Sequence, residues 1–463
     1  MDKNKKRKKL AKPGSRGWLA GRSPTQIICV SFVLLIALGT LLLTTPMASR
    51  QGRLSVVDAM FTATSATCVT GLIVRDTWTQ FTVFGQAVIL LLIQIGGMGV
   101  VTITIAVAMV SGKKIGLMQR SLMQESISAP QVGGIVRFTG FFLKGIALIE
   151  PLGAMLLAPV FIKDFGVGKG IWYGVFHSIS AFCNAGFDLF GQFGAYSSLV
   201  PYVHNYYVQA VVMFMIIAGG LGFMVWVELI QYPKKRKLSL HARVVLIFSV
   251  LLWVGGAALI GLLEWNNPAS MGGLSVSDKI MASLFQSVST RTAGMNTIDL
   301  AACGPITKLL MSVLQFIGAA PGSTGGGVKV TTFAVLFLTI RSVAQGRDDC
   351  VIADHHIESK TVYRALTIIV IGALAAFGSA VVVYYNTSDA VSVIDAIFES
   401  CSAFGTVGLS VGVTARLKDG AKLLYMAVMF MGRVGPVSLA MSLTAKPDDN
   451  KRKIMPVGHI NVG

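Results

Sequence analysis

The chain has 463 residues, 53% of them hydrophobic and only 13% charged, with a formal net charge of +19. The charged fraction is about half that of an average soluble chain, and the apolar residues fall in long blocks rather than amphipathic stripes, which excludes an ordinary soluble fold. Six scattered cysteines with no CxxC pair imply neither a disulfide framework nor a zinc site.

The N-terminus, residues 1–23, is basic, with nine Lys and Arg from Lys3 to Arg22. It lacks a cleavage site and runs into the apolar block Ile27 to Leu43, close to the ~20 residues a helix needs to cross a bilayer. Further blocks run Val88–Val110, Val208–Val227, Val244–Leu263, Leu309–Ile340, Ala365–Tyr385 and Leu423–Leu443. Basic clusters at Lys113, Lys114 and Arg120, at Lys234 to Lys237, at Arg341 to Arg364 and at Lys446 to Lys453 follow every second crossing. That is the positive-inside pattern for a multi-pass protein of the plasma membrane with both termini cytoplasmic. The charge therefore reads as topology with weak attraction to the lipid bilayer, and no nucleic acid is implied.

An internal repeat organises the rest. Phe61…Ser65…Gly71-Leu72, Phe176…Ser180…Gly186-Phe187, Phe285…Ser289…Gly294-Met295 and Phe398…Ser402…Gly408-Leu409 share one pattern. The third is one residue shorter between Ser and Gly, and the glycines recur every 115, 108 and 114 residues. Each segment is too short to cross the membrane, so it reads as a re-entrant half-helix between two spans. Ser55-Val-Val-Asp58 and Ser392-Val-Ile-Asp395 put a capping hydroxyl and a carboxylate at the positive helix ends. The opposite, partly negative ends then aim toward mid-membrane and favour a cation there. The stretch after each half-helix is extended. Its residues, Val69-Thr70-Gly71, Asn184-Ala185-Gly186, Thr292-Ala293-Gly294 and Thr406-Val407-Gly408, suit a selectivity filter whose carbonyl ring replaces the hydration shell of K+. The alternative is that each Gly ends a buried helix as a C-cap.

The fold class expected is all-α integral membrane: four span–pore-helix–span repeats, eight transmembrane helices in pseudo-fourfold arrangement around a central ion pore. The boundaries are a cytoplasmic N-terminus 1–23, repeat 1 at 24–111, a linker at 112–134, repeat 2 at 135–232, repeat 3 at 233–342, a linker at 343–360, repeat 4 at 361–444 and a cytoplasmic tail at 445–463. His355 and His356 read as solvated in the second linker.

The second span of each repeat carries small residues, Gly96-Gly97-Met98-Gly99, Gly219-Gly220-Leu221-Gly222, Gly318-Ala319-Ala320-Pro321 and Gly432-Arg433-Val434-Gly435, which read mainly as close helix packing. Arg433 breaks the pattern mid-span, where a charge costs at least about 2.5 kcal/mol. It faces the pore as a barrier to cations, or pairs with a buried acid such as Glu399 or Glu150. Repeat 3 alone is expected to break its second helix, at Gly318, Pro321, Gly322, Ser323, Thr324, Gly325, Gly326, Gly327 and Lys329. The spacing does not fit a phosphate loop, and the segment reads as a gate under the filter or as an inert kink.

The filter segments, with Gln80-Phe-Thr-Val-Phe-Gly-Gln86, Leu92-Ile-Gln-Ile-Gly-Gly97, Gly112-Lys-Lys-Ile-Gly-Leu117 and Phe430-Met-Gly-Arg-Val-Gly-Pro436, resemble the Ktr/Trk/HKT potassium transporter superfamily. The likeness is greatest to the bacterial KtrB membrane subunit and covers nearly the whole chain. It implies K+ uptake by a homodimer with one pore per subunit. It also implies a cytosolic KtrA-like ring of nucleotide-binding subunits, with ATP or ADP bound only to that partner, and Na+ as a possible activator. The 318–329 loop and Arg433 carry over as gating elements. In plant relatives a Ser at the first filter Gly goes with sodium selectivity; Gly71 implies potassium. The competing reading is a sodium-coupled secondary symporter with a midplane site, although such folds use inverted repeats of several spans. No HExxH, GxSxG or paired-carboxylate constellation supports a membrane enzyme.

Overall fold

The computed structural model describes residues 23–99, 102, 120, 122, 124, 135–347, 350–352, 355–387 and 391–443. The basic N-terminus, most of the 112–134 linker and the C-terminal tail lie outside the described residues.

Among the described residues four helices are long and apolar enough to cross a membrane, and each opens one repeat: α1 (Pro24–Leu43), α5 (Ile135–Phe165), α9 (Leu240–Glu264) and α13 (Ser359–Asn386). α1 starts at Ser23, whose hydroxyl accepts from the Gln26 N–H while its own N–H reaches Gln26 Oε1, a capping box with proline at the first helical position. Val33, Leu34, Leu38 and Leu41 of α1 are exposed, as suits a helix with lipid on its outer face.

A short helix follows each long one: α2 (Val56–Thr67), α6 (Val167–Phe182), α10 (Val276–Ser289) and α14 (Val393–Gly405). At 12 residues α2 reaches about 18 Å, well short of the ~30 Å hydrocarbon core. The repeated phenylalanines Phe61, Phe176, Phe285 and Phe398 are wholly buried and anchor these helices. Ser55 and Ser392 cap α2 and α14, donors to them being Asp58 N–H and Asp395 N–H.

The second helix is broken in repeats 2 and 4 as well as in repeat 3, a correction to the expectation that only the third would be; in repeat 1 the residues beyond Gly99 lie outside the described residues. After a single turn, α3 (Thr77–Gln80), α4 (Val83–Met98) stops at Gly99, φ +82°. α7 (Tyr206–Gly220) and α8 (Phe223–Lys235) meet at 101° across Gly222, φ +84°. α11 (Pro305–Phe316) and α12 (Val330–Ala344) flank the 318–329 loop, and α15 (Asp419–Val434) meets α16 (Pro436–Leu443) at Gly435, φ +94°. Left-handed backbone at these glycines cannot continue a helix, so α4 ends at Gly99 and the apolar blocks of repeats 2 and 4 are each two segments. The glycines one turn earlier act as the sequence implies. A methyl on Gly96, Gly219 or Gly432 would overlap the carbonyl of Thr67, Phe182 or Phe404, so in repeats 1, 2 and 4 the second helix lies directly on the end of its own short helix. Val351–Ile352 (β1) and His355–His356 (β2) form a small antiparallel hairpin, with both histidines exposed.

Candidate ion pathway

The short helices end alike. Val69, Asn184, Thr292 and Thr406 take left-handed φ of 57°, 59°, 67° and 48°, a conformation that costs a non-glycine residue roughly 1 kcal/mol or more. In three repeats the next N–H reaches back to the repeated serine's carbonyl: Thr70 to Ser65 at 2.8 Å, Ala185 to Ser180 at 2.7 Å and Val407 to Ser402 at 2.9 Å. This is a Schellman cap. In repeat 3 the bond is one residue shorter, Ala293 N–H to Ser289 at 3.0 Å. The missing residue is thus absorbed in the helix cap and the strand beyond it stays in step. The helix-capping reading of the filter glycines fails, because the left-handed cap residue lies two positions before each glycine.

The same serines brace the strands that follow. Ser65 Oγ accepts from Gly71 N–H at 3.1 Å and Ser402 Oγ from Gly408 N–H at 3.0 Å. Ser180 Oγ donates to Phe187 O at 2.6 Å, and Ser289 Oγ donates to Met295 O.

The four glycines meet. Their φ angles are +91°, +71°, +75° and +94° at Gly71, Gly186, Gly294 and Gly408. A methyl on Gly71 would lie 2.5 Å from Ala185 O, and one on Gly186 would lie 3.0 Å from Ala293 O. One on Gly294 would overlap Val407 O, and one on Gly408 would overlap Thr70 O. Each repeat touches the next and the fourth touches the first, so the contacts close into a cycle.

Beneath this ring lies the 318–329 loop. A methyl on Gly325 would overlap Thr292 Oγ1, and one on Gly326 would overlap Thr406 Oγ1. The loop is pinned on several sides: Gly318 N–H to Val328 O at 2.7 Å, Thr324 N–H to Gly219 O at 3.2 Å and Gly327 N–H to Gly432 O at 3.1 Å. Lys329 Nζ donates to Gly325 O at 2.5 Å. Pro321, Gly322 and Ser323 form its turn, Ser323 Oγ donating to Ala320 O at 2.6 Å.

Arg433 ties the loop to repeat 1. Its guanidinium donates to Thr324 O, to Gly96 O at 2.5 Å and to Gly97 O at 3.0 Å. The acid pairing considered from sequence is overturned. Glu150 instead accepts from Gln94 at 3.0 Å, and Glu399 is held by Ser410, Thr414 and the Val411 and Val413 N–H groups. Arg433 and Lys329 line a cavity of about 240 Å³ together with Thr25, Ser323 and Ser438.

The TrkH family, described as cation transport protein, matches residues 8–454. The chain belongs to the TrkH family. It is 36% identical over 441 residues to Ktr system potassium uptake protein B of Bacillus subtilis, covering 95% of this chain and 97% of that protein. It is 38% identical over 427 residues to potassium/sodium uptake protein NtpJ of Enterococcus hirae, covering 92% and 93%. The crystal structure of the potassium transporter TrkH from Vibrio parahaemolyticus superposes with a TM-score of 0.69 at 20% identity, covering 93% of this chain and 86% of that one; it shares the fold. As a TrkH-family member the chain is a multi-pass membrane transport protein and not an enzyme.

Two groups in this TrkH-family chain escaped the sequence reading. Ser275 caps α10 as Ser55 caps α2, with Asp278 in the first turn. Asp278 lies seven residues before Phe285, whereas Asp58 lies three before Phe61, so the extra turn hid a visible Ser-x-x-Asp signal. Buried Arg291 donates to Gly318 O at 2.7 Å and holds the neck of the loop; its only trace in sequence is a charge inside the third filter segment.

Proposed function

We propose that this chain is the pore-forming subunit of a potassium uptake system. K+ passes the ring formed by Val69-Thr70-Gly71, Asn184-Ala185-Gly186, Thr292-Ala293-Gly294 and Thr406-Val407-Gly408. The observation that carries the reading is the cyclic approach of each filter glycine to the carbonyl before the next one. Backbone oxygens packed around one axis exchange for the water shell of a monovalent cation. Eight crossings in pseudo-fourfold arrangement, with both termini cytoplasmic, are the layout that goes with it.

The 318–329 loop and Arg433 are the gate. Support comes from the position of the loop against Thr292 and Thr406 and from the Arg433 guanidinium that holds the loop at Thr324. Na+ is a stimulating ion in this reading; a relative is named potassium/sodium uptake protein, which links both ions to this kind of chain. The word system in the name of the Bacillus subtilis relative supports a multi-component assembly, in which this chain is a homodimer carried on a cytosolic nucleotide-binding ring.

The test is uptake at limiting K+ in cells lacking their own potassium transport, with Gly71→Ser and Gly294→Ser beside wild type. Both variants are expected to lose growth or K+-over-Na+ preference while reaching the membrane. If neither changes, the filter assignment is wrong.

A further inference from the structure

On the side of the glycine ring away from the loop is a cavity of about 220 Å³, floored by Gly71, Gly186, Gly294 and Gly408. Two residues past each glycine stand Ile73, Asp188, Asn296 and Ser410, and all four line this cavity. One position, met four times, carries a single carboxylate.

Asp188 is 7% exposed. Its Oδ1 accepts the Phe190 N–H at 2.9 Å. Among the described residues no group donates to Oδ2, and no Lys or Arg lines the cavity. The other carboxylate there, Asp299, is exposed and accepts from Ala301 N–H at 2.9 Å. Neighbouring Asp76 is already satisfied, by Thr79 N–H at 2.8 Å and Tyr196 N–H at 3.0 Å. A carboxylate oxygen that faces a cavity with no protein donor is unfavourable unless a cation or water completes it. Here it borders the mouth of a cation route, where charge of one sign raises the local cation concentration.

We propose that Asp188 forms an outer cation site: its free carboxylate oxygen draws a partly hydrated alkali cation into the mouth and passes it to the glycine ring. This rests on the reading of that ring as a filter. The site is one-sided, because Ile73, Asn296 and Ser410 contribute no charge.

The experiment is concentration-dependent Rb+ uptake in cells expressing the full chain, with surface expression quantified. Asp188→Asn keeps an oxygen for the Phe190 N–H and removes only the charge. Its KM is expected to rise about three- to tenfold with Vmax within about twofold, and added choline chloride should narrow the gap to wild type by screening. Moving the carboxylate to a neighbouring position, as Asp188→Asn with Ile73→Asp or Asn296→Asp, should restore a low KM in at least one combination. An unchanged KM in Asp188→Asn overturns the proposal. So does a raised KM that neither relocation nor salt affects, since that is the mark of a damaged turn. Gly71→Ser in the same cells separates the two readings. If it shifts ion preference while Asp188→Asn behaves as wild type, only the outer site fails; if Gly71→Ser also shifts nothing, the filter itself fails.

Discussion

Arg433, near the end of α15, donates to the carbonyl oxygen of Gly96, near the end of α4, at 2.5 Å. One side chain from the fourth repeat thus occupies backbone acceptors of the first while also holding Thr324 of the third. The bonds offset its desolvation without neutralising its charge, because all the acceptors are carbonyls.

Arg433→Ala should therefore open the route rather than unfold it. Removing a barrier of about 1 kcal/mol corresponds to roughly a fivefold rise in flux. Rb+ uptake per transporter at the surface measures this. Arg433→Lys keeps the charge but not the forked reach and should fall between. A fall in uptake with a lowered melting temperature would mean the residue is only a clasp.

Gly326→Ala places a methyl against Thr406 Oγ1, and Gly325→Ala places one against Thr292 Oγ1. Either forces the loop or the threonine it meets to shift, and a loop displaced from the ring opens the route. Basal uptake should rise roughly threefold, equivalent to well under 1 kcal/mol of barrier. Gly273→Ala, where the added methyl meets nothing within 4 Å, is the control and should match wild type.

Glu399 is wholly buried and accepts from Val411 N–H at 3.0 Å, Val413 N–H at 3.0 Å, Ser410 Oγ at 2.5 Å and Thr414 Oγ1 at 2.5 Å. It holds the strand that leaves Gly408. Glu399→Ala leaves several donors unsatisfied and should destabilise the protein by about 3 kcal/mol. Glu399→Gln should be milder, since the amide oxygen keeps part of the set. Thermal melting in detergent reads both.

Asp58, at the start of α2, meets Lys422 of α15 at 2.7 Å and Arg75 at 3.1 Å. The Lys422 pair joins the first repeat to the fourth and is largely shielded, its side chains 3% and 13% exposed. A double-mutant cycle with Asp58→Asn and Lys422→Met should give a coupling of about 1–2 kcal/mol. The Arg75 pair, 56% exposed on the Arg side, should give less. Equal couplings would mean that burial does not set the strength of these pairs.

The sequence carries the repeat spacing, the four glycines and the Ser55 and Ser392 caps because each is a local signal with a fixed offset, whereas the Ser275 cap stands at another offset and escaped. It is poorer on the second helices. Gly99, Gly222 and Gly435 stand in glycine-rich apolar runs where a close-packing glycine and a left-handed one look the same. Only the fold assigns Gly96, Gly219 and Gly432 to contact and the glycine three residues later to the break. The partners of Arg433 were illegible for another reason. Backbone carbonyls leave no residue-type signature, so a search for acids named Glu150 and Glu399, both already engaged elsewhere. The one-residue shortening of the third segment, visible in the sequence, lies in the helix cap.

The closed contact from Gly71 through Gly186 and Gly294 to Gly408 is made by one polypeptide. A pore assembled from identical subunits multiplies any substitution by its symmetry. Here a single codon alters one quadrant and leaves three as internal references. Graded series, in which the same change is introduced into one, two, three and then all four quadrants, are therefore accessible by ordinary mutagenesis. They would tell whether ion preference declines stepwise or collapses at the first altered wall.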